Sequence, residues 1–129
     1  MISFVFYIHH DSGKDGQLLA QAVQKRFPKV SSQVCRDLPS LAKSLKAFVR
    51  YTDLHVYVLL AETPERLEQL QGLIDDLEDK KILLVLPDNQ RSSYVSGLRL
   101  RPRFITQRSK SYEDICDVLE KMIENHSRK

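Results

Sequence analysis

The sequence predicts an α/β domain: a five-stranded parallel sheet in the order 2-1-3-4-5, doubly wound, with helices on both faces in three layers α/β/α. Three observations carry this expectation. Five apolar runs of strand length recur along the 129 residues and alternate with segments whose apolar residues follow a helical period. Runs one, three and four ("ISFVFYI", "LHVYVLL", "KILLVLP") are almost continuously apolar, as strands covered on both faces must be. Right-handed crossovers between parallel strands then put the first strand beside the third, with the second outside it.

Each element follows in chain order. The first strand is expected over 2–8, and Leu18, Leu19, Ala22, Val23 and Phe27 form the apolar face of the helix after it. "VSSQVC" at 30–35 is a weaker second strand, followed by a helix facing inward through Leu38, Leu41, Leu45, Phe48 and Val49. The third strand spans 54–60. Thr63 is a suitable N-cap for the next helix, with Pro64 in its first position and Leu67, Leu70, Ile74 and Leu77 on its inner face. The fourth strand covers 81–87. The polar stretch "NQRSSYVSGLRLRP", holding Gly97 and ending at Pro102, leaves room only for a short helix. A fifth strand lies at 103–107, and "SYED" at 111–114 caps a last helix facing inward through Ile115, Val118, Leu119, Met122 and Ile123. One domain is expected over 1–125, with 126–129 as a flexible tail.

Composition bounds the function classes. With 42% hydrophobic and 29% charged residues the chain reads as a globular protein, neither disordered nor membrane-embedded. Its longest apolar stretch falls far short of the roughly 20 residues a spanning helix needs. The opening residues lack the basic, apolar and small-residue segments of a secretory leader, so the expected compartment is the cytoplasm. Cys35 and Cys116 have no metal-ligand spacing and read as small buried hydrophobes. A net charge of +3 does not announce nucleic acid, but its distribution is uneven. Arg91, Arg99, Arg101, Arg103, Arg108 and Lys110 form a stretch with no acid, whereas Glu62 to Asp79 carries seven acids against Arg66 alone.

In the 2-1-3-4-5 order the cleft lies beyond the carboxyl ends of strands one, three and four. The residues there are His9, His10 and Asp11; Ala61 and Glu62; Pro87 and Asp88; and, at the end of strand five, Gln107. With "FVFYIHHDS", "VYVLLAETP", "LLVLPD" and "RFITQRS" at these places, the whole chain resembles a response-regulator receiver domain, a flavodoxin-like fold of two-component signalling. Every reactive position departs from the family. Its two metal-binding acids fall at His9 and His10, its acceptor aspartate at Ala61, its hydroxyl at Pro87 and its lysine at Gln107. Receiver chemistry needs a carboxylate nucleophile beside a hard cation that keeps oxygen ligands. The resemblance therefore implies a degenerate pseudo-receiver with no catalytic residue, no cofactor and no metal, signalling by protein contact without phosphotransfer.

Other readings use the same residues. Two imidazoles from His9 and His10 with Asp11 or Glu62 suit a metal only if the turn after the strand rotates one of them, since strand neighbours point to opposite faces. "YIHHDSGKDGQLLAQAV" resembles the phosphohistidine segment of mannose-type sugar-transport IIA components, implying a phosphocarrier using His10, although "AETPERLE" stands where that family has a glycine-rich turn. "CRDLP" and "VYVLLAET" resemble TIR-domain boxes, with Glu68 as the one candidate for a catalytic glutamate. "DSGKDG" lacks the spacing of a phosphate-binding fingerprint and reads as a loop.

In receiver-like folds the helix after strand four, strand five and the last helix form the partner and dimer face. The basic segment falls there, so Arg91, Arg99, Arg101, Arg103, Phe104, Arg108 and Lys110 are the expected contacts for a protein partner or a second copy. Nucleic acid is not expected: the stacking candidates read beside the segment are Phe104 and Tyr112. No membrane partner is expected.

Overall fold

A computed structural model describes residues 1–128. The elements run β1 (Ile2–Tyr7), α1 (Lys14–Arg26), β2 (Ser31–Cys35), α2 (Leu38–Lys46), β3 (Leu54–Leu60), α3 (Pro64–Gln71), α4 (Ile74–Leu77), β4 (Lys81–Leu86), α5 (Arg91–Leu98), β5 (Phe104–Gln107) and α6 (Glu113–Ser127). All neighbouring strands are parallel, in the order β2-β1-β3-β4-β5, a flavodoxin-like topology. Among the described residues no helix is long and apolar enough to cross a membrane.

Side-chain alternation along the central strands builds two cores. Phe4, Phe6, Ile8, Val56, Val58, Leu60, Leu83 and Val85 face Leu19 and Val23 of α1 and Ile115 and Leu119 of α6. Val5, Tyr7, Tyr57, Leu59, Ala61, Ile82, Leu84 and Leu86 face Leu41, Leu45, Leu67, Leu70 and Leu77 on α2, α3 and α4. Full burial of each large apolar side chain is worth about 1.5–3 kcal/mol, so both layers hold the sheet. Cys35 and Cys116 are buried on opposite sides of it, in different cores, where desolvation raises both thiols.

The local differences from the sequence reading have physical causes. α2 stops at Lys46, so Phe48 and Val49 do not extend its inner face; Phe48 is exposed in the loop that returns to β3. The run of aromatic and β-branched residues after Ala47 has weak helix propensity. The third apolar period is split at Gly72 into α3 and the single turn α4, which leaves Ile74 partly exposed. The last helix does not use Ser111 as its cap. Tyr112 occupies the N-cap position at φ 52, in the left-handed region, while Ser109 Oγ accepts from the backbone N–H groups of Ser111 and Tyr112. The Tyr112 ring is fully buried, and its burial outweighs the cost of that backbone. α6 runs to Ser127, two residues past the expected domain boundary, and Lys129 lies outside the described residues.

Helix α1 makes its closest approach to the loop behind β1 at Gly16, where a Cβ would collide with Ile8 Cγ2 and Ser12 Oγ. Gly16→Ala improves helix propensity by about 1 kcal/mol. Overpacking costs about 1–3 kcal/mol and should prevail. The expected result is a lower urea midpoint; a raised one would show that the loop is not seated on α1.

Candidate functional site at the carboxyl ends of the strands

Beyond Tyr7 the chain leaves the β1–β3 ladder but stays beside the end of β2. The Ile8 N–H donates to Cys35 O (3.0 Å) and the His10 N–H to Arg36 O (3.2 Å). It then closes a turn in which the Ser12 N–H donates to His9 O (2.9 Å). Strand alternation ends here, and the His9 and His10 rings come side by side with centroids 4.0 Å apart and planes tilted by 44°. Nδ1 of His9 accepts from the Asp11 N–H (3.1 Å), and His10 Nδ1 lies in a hydrogen bond with Asp11 Oδ1 (3.0 Å). The His9 side chain is 13% exposed, His10 61% and Asp11 69%. Desolvation, with the nearby Arg66 and His10, holds His9 below the usual histidine value. The bond from His10 holds the Asp11 carboxyl below the usual carboxylate range.

Facing this turn is the end of β3. Ala61 is fully buried in the second core and its N–H donates to Val85 O (2.9 Å), so the receiver acceptor position is a packed methyl group. Glu62 turns into the first turns of α3, where Oε1 accepts from Arg66 Nε at 2.6 Å. Arg66 also donates through Nη1 to Gln69 Oε1 (3.2 Å) and through Nη2 to Asp11 Oδ2 (3.5 Å), tying the end of β3 to the turn after β1. Side-chain exposures of 7% for Glu62 and 16% for Arg66 make this a largely desolvated pair. Glu62 Oε2 and Tyr7 Oη are buried with no hydrogen-bond partner among the described residues. Burial raises the Tyr7 hydroxyl, opposed by Arg66. Asp37 caps α2 by accepting from the Ser40 N–H (2.8 Å), a bond that lowers its carboxyl, and it feels both histidines.

The remaining cleft residues form a second group. Pro87 O accepts from Arg108 Nε (2.8 Å), and Arg108 Nη1 reaches Asp15 Oδ2 on α1 (3.0 Å). Asp88 Oδ1 accepts from the Gln90 N–H (3.0 Å) ahead of α5. Gln107 is exposed at the end of β5 and lines a shallow hollow with Asp88, Arg91 and Tyr94. Ala61, Pro87 and Gln107 supply neither nucleophile, hydroxyl nor lysine. In "DSGKDG", Gly13 takes φ 58 just before α1 and Gly16 lies within it. Glu68, on α3, is exposed.

The expected partner residues are not one surface. Arg108 is tied into the cleft as described. Arg103 sits at the opposite end of β5, where its N–H donates to Ile82 O (2.8 Å) and it lines a hollow with Met122 and His126 of α6. Phe104 packs against the first core, and Lys110 is exposed in the turn before α6. Arg91, Arg99 and Arg101 lie on or just after α5, and Arg99 and Arg101 share a hollow with Asp75 and Glu78. Among the described residues, Arg91, Arg99, Arg101, Arg103 and Lys110 form no salt bridge. Between them α5 buries its small residues, Ser93 and Gly97, and leaves Tyr94, Val95 and Leu98 nearly half exposed. A Cβ at Gly97 would meet Leu86 Cδ2 and Ile105 Cδ1 at 2.9 Å, so the helix lies close on the sheet through that residue.

No family model, curated protein or solved structure matches the chain. What it shares with the receiver resemblance is the parallel five-strand topology and the placement of these residues at the strand ends.

Two groups of residues went unread in the sequence. Arg66 is the centre of the β1–β3 side, and its signal was the i,i+4 spacing from Glu62. Tyr94, Val95 and Leu98 form the exposed apolar face of α5, signalled by the small residues Ser93 and Gly97 four apart.

Removing one member of a desolvated pair leaves the other charge uncompensated. Arg66→Met is expected to cost about 3–5 kcal/mol in urea unfolding. The double variant Glu62→Leu/Arg66→Met should cost clearly less than Arg66→Met alone. Additive losses would show that the two groups are not coupled.

Proposed function

We propose that this protein is a receiver-like signalling module that acts without phosphorylation, binding a protein partner through the outer face of α5 and the residues just after it. One observation carries the reading: α5 seats its small residues on the sheet and turns Tyr94, Val95 and Leu98 outward among the unpaired Arg91, Arg99 and Arg101. Aromatic and aliphatic anchors flanked by arginine are the composition of interface cores. Each guanidinium offers a planar fork to a carboxylate. The complementary surface is an acidic segment with two or three apolar side chains. A second copy would meet this face through its own acidic α4, with Asp75, Asp76 and Glu78, because α5 against α5 sets arginine against arginine. Phosphotransfer is not needed for this activity, and the residues at the acceptor, hydroxyl and lysine positions supply none of its groups.

The test is selection of peptides from a random display library on the immobilised protein. Enriched peptides should combine Asp or Glu with aromatic or aliphatic residues. Their affinity should fall at least about tenfold with Leu98→Asp and with Arg99→Glu/Arg101→Glu, and with added salt, as screened charge pairs do. Lys29→Glu, a charge change on the remote α1–β2 loop, should leave binding unchanged. Equal binding by the α5 variants, or enrichment without acidic residues, would contradict the reading.

A further inference from the structure

We propose that the turn beyond β1 binds a divalent metal ion of the zinc class, held by the imidazoles of His9 and His10 and the carboxylate of Asp11. The objection from sequence is that neighbouring strand residues face opposite ways. The turn closed by Ser12 N–H to His9 O removes it, since both rings now lie on one side with centroids 4.0 Å apart. One ligand atom from each of His9, His10 and Asp11 falls within 4.8 Å of the others. The separations from Asp11 are 3.0 Å between His10 Nδ1 and Oδ1 and 3.7 Å between His9 Nδ1 and Oδ2. The two contacts use different oxygens of Asp11, so one oxygen serves an ion between both rings after a rotation of that exposed carboxylate. An ion there takes the place of the proton that His10 and Asp11 share, with small rotations of two exposed side chains.

A second, independent observation is Glu62. Its side chain is almost fully buried, Oε1 is committed to Arg66, and Oε2 has no partner among the described residues. Arg66 in turn reaches Asp11 Oδ2 (3.5 Å), so Glu62 and Asp11 share one guanidinium.

The donor set decides the class of ion. Two imidazoles and one carboxylate suit zinc and its borderline neighbours, not the all-oxygen coordination of magnesium or calcium. Three protein ligands leave a fourth position, which the exposure of His10 and Asp11 opens to water or to an anionic ligand. The site is distinct from the α5 face and stands or falls without it.

The test is titration of the metal-stripped protein with Zn²⁺ against a chromophoric chelator, with Co²⁺ absorption as a second readout. Wild type should bind one ion per chain, and cobalt should give the intense visible bands of a four- or five-coordinate site. His10→Ala and Asp11→Asn, both at exposed positions and checked for an unchanged urea midpoint, should each weaken binding at least about tenfold. His55→Gln and His126→Gln should not change it, and Mg²⁺ in large excess should not compete. Binding no tighter than about millimolar, binding indifferent to His10→Ala and Asp11→Asn, or a cobalt spectrum like that of the hydrated ion would overturn the proposal.

Discussion

The central strands β1, β3 and β4 have no solvent face, and where everything else in the molecule sits follows from that. From Val56 to Ala61 every residue is fully or almost fully buried, alternately beneath α1 and α6 and beneath α2, α3 and α4. Parallel pairing holds the register from Ile2 beside Leu54 to Tyr7 beside Leu59. A sheet buried on both sides cannot carry polar chemistry along its strands, because an unpaired buried polar group is costly. Polar groups are therefore driven to the strand ends and the outer faces of the helices. Both candidate surfaces of this protein lie in those two places.

At the strand ends, two arginines act as ties. Arg66 joins Glu62 to Asp11 and so links β3 and α3 to the turn after β1; Arg108 joins Pro87 O to Asp15 and so links β5 to α1. On the far edge of the sheet, α5 carries arginines that have no carboxylate partner among the described residues, beside apolar side chains left nearly half exposed. The receiver-like positions between these regions hold a methyl group, a proline and an amide.

The sheet was legible in the sequence because its signal is redundant: three continuous apolar runs, separated by helical periods, admit few other topologies. Where a single local cue competed with tertiary packing, the reading gave way. "SYED" satisfies a capping pattern, yet burying Tyr112 fixes its backbone in the left-handed region at the N-cap, and Ser109 Oγ instead holds the turn that leads into the helix. In α5 the apolar residues were visible, but which face they take depends on the space above Leu84, Leu86 and Ile105, whose terminal methyls a Cβ at Gly97 would press on. The histidines show the same limit. Their types and position were plain, whereas their side-by-side arrangement is produced by a turn that periodicity does not encode. Arg108 looked like part of a basic surface because sequence proximity grouped it with Arg99 and Arg101; the length of β5 carries it to the other end of the sheet.

The central proposal is that partner binding uses the outer face of α5 rather than the strand-end cleft. The most direct measurement is the map of backbone amide chemical-shift changes when the ¹⁵N-labelled protein is titrated with an acidic peptide carrying aromatic and aliphatic anchors. The account predicts that the largest changes fall on residues 91–101, centred on Tyr94, Leu98 and Arg99, with His9 to Asp11 and Glu62 little moved. Changes centred on the turn after β1 and the start of α3, with α5 silent, would contradict it.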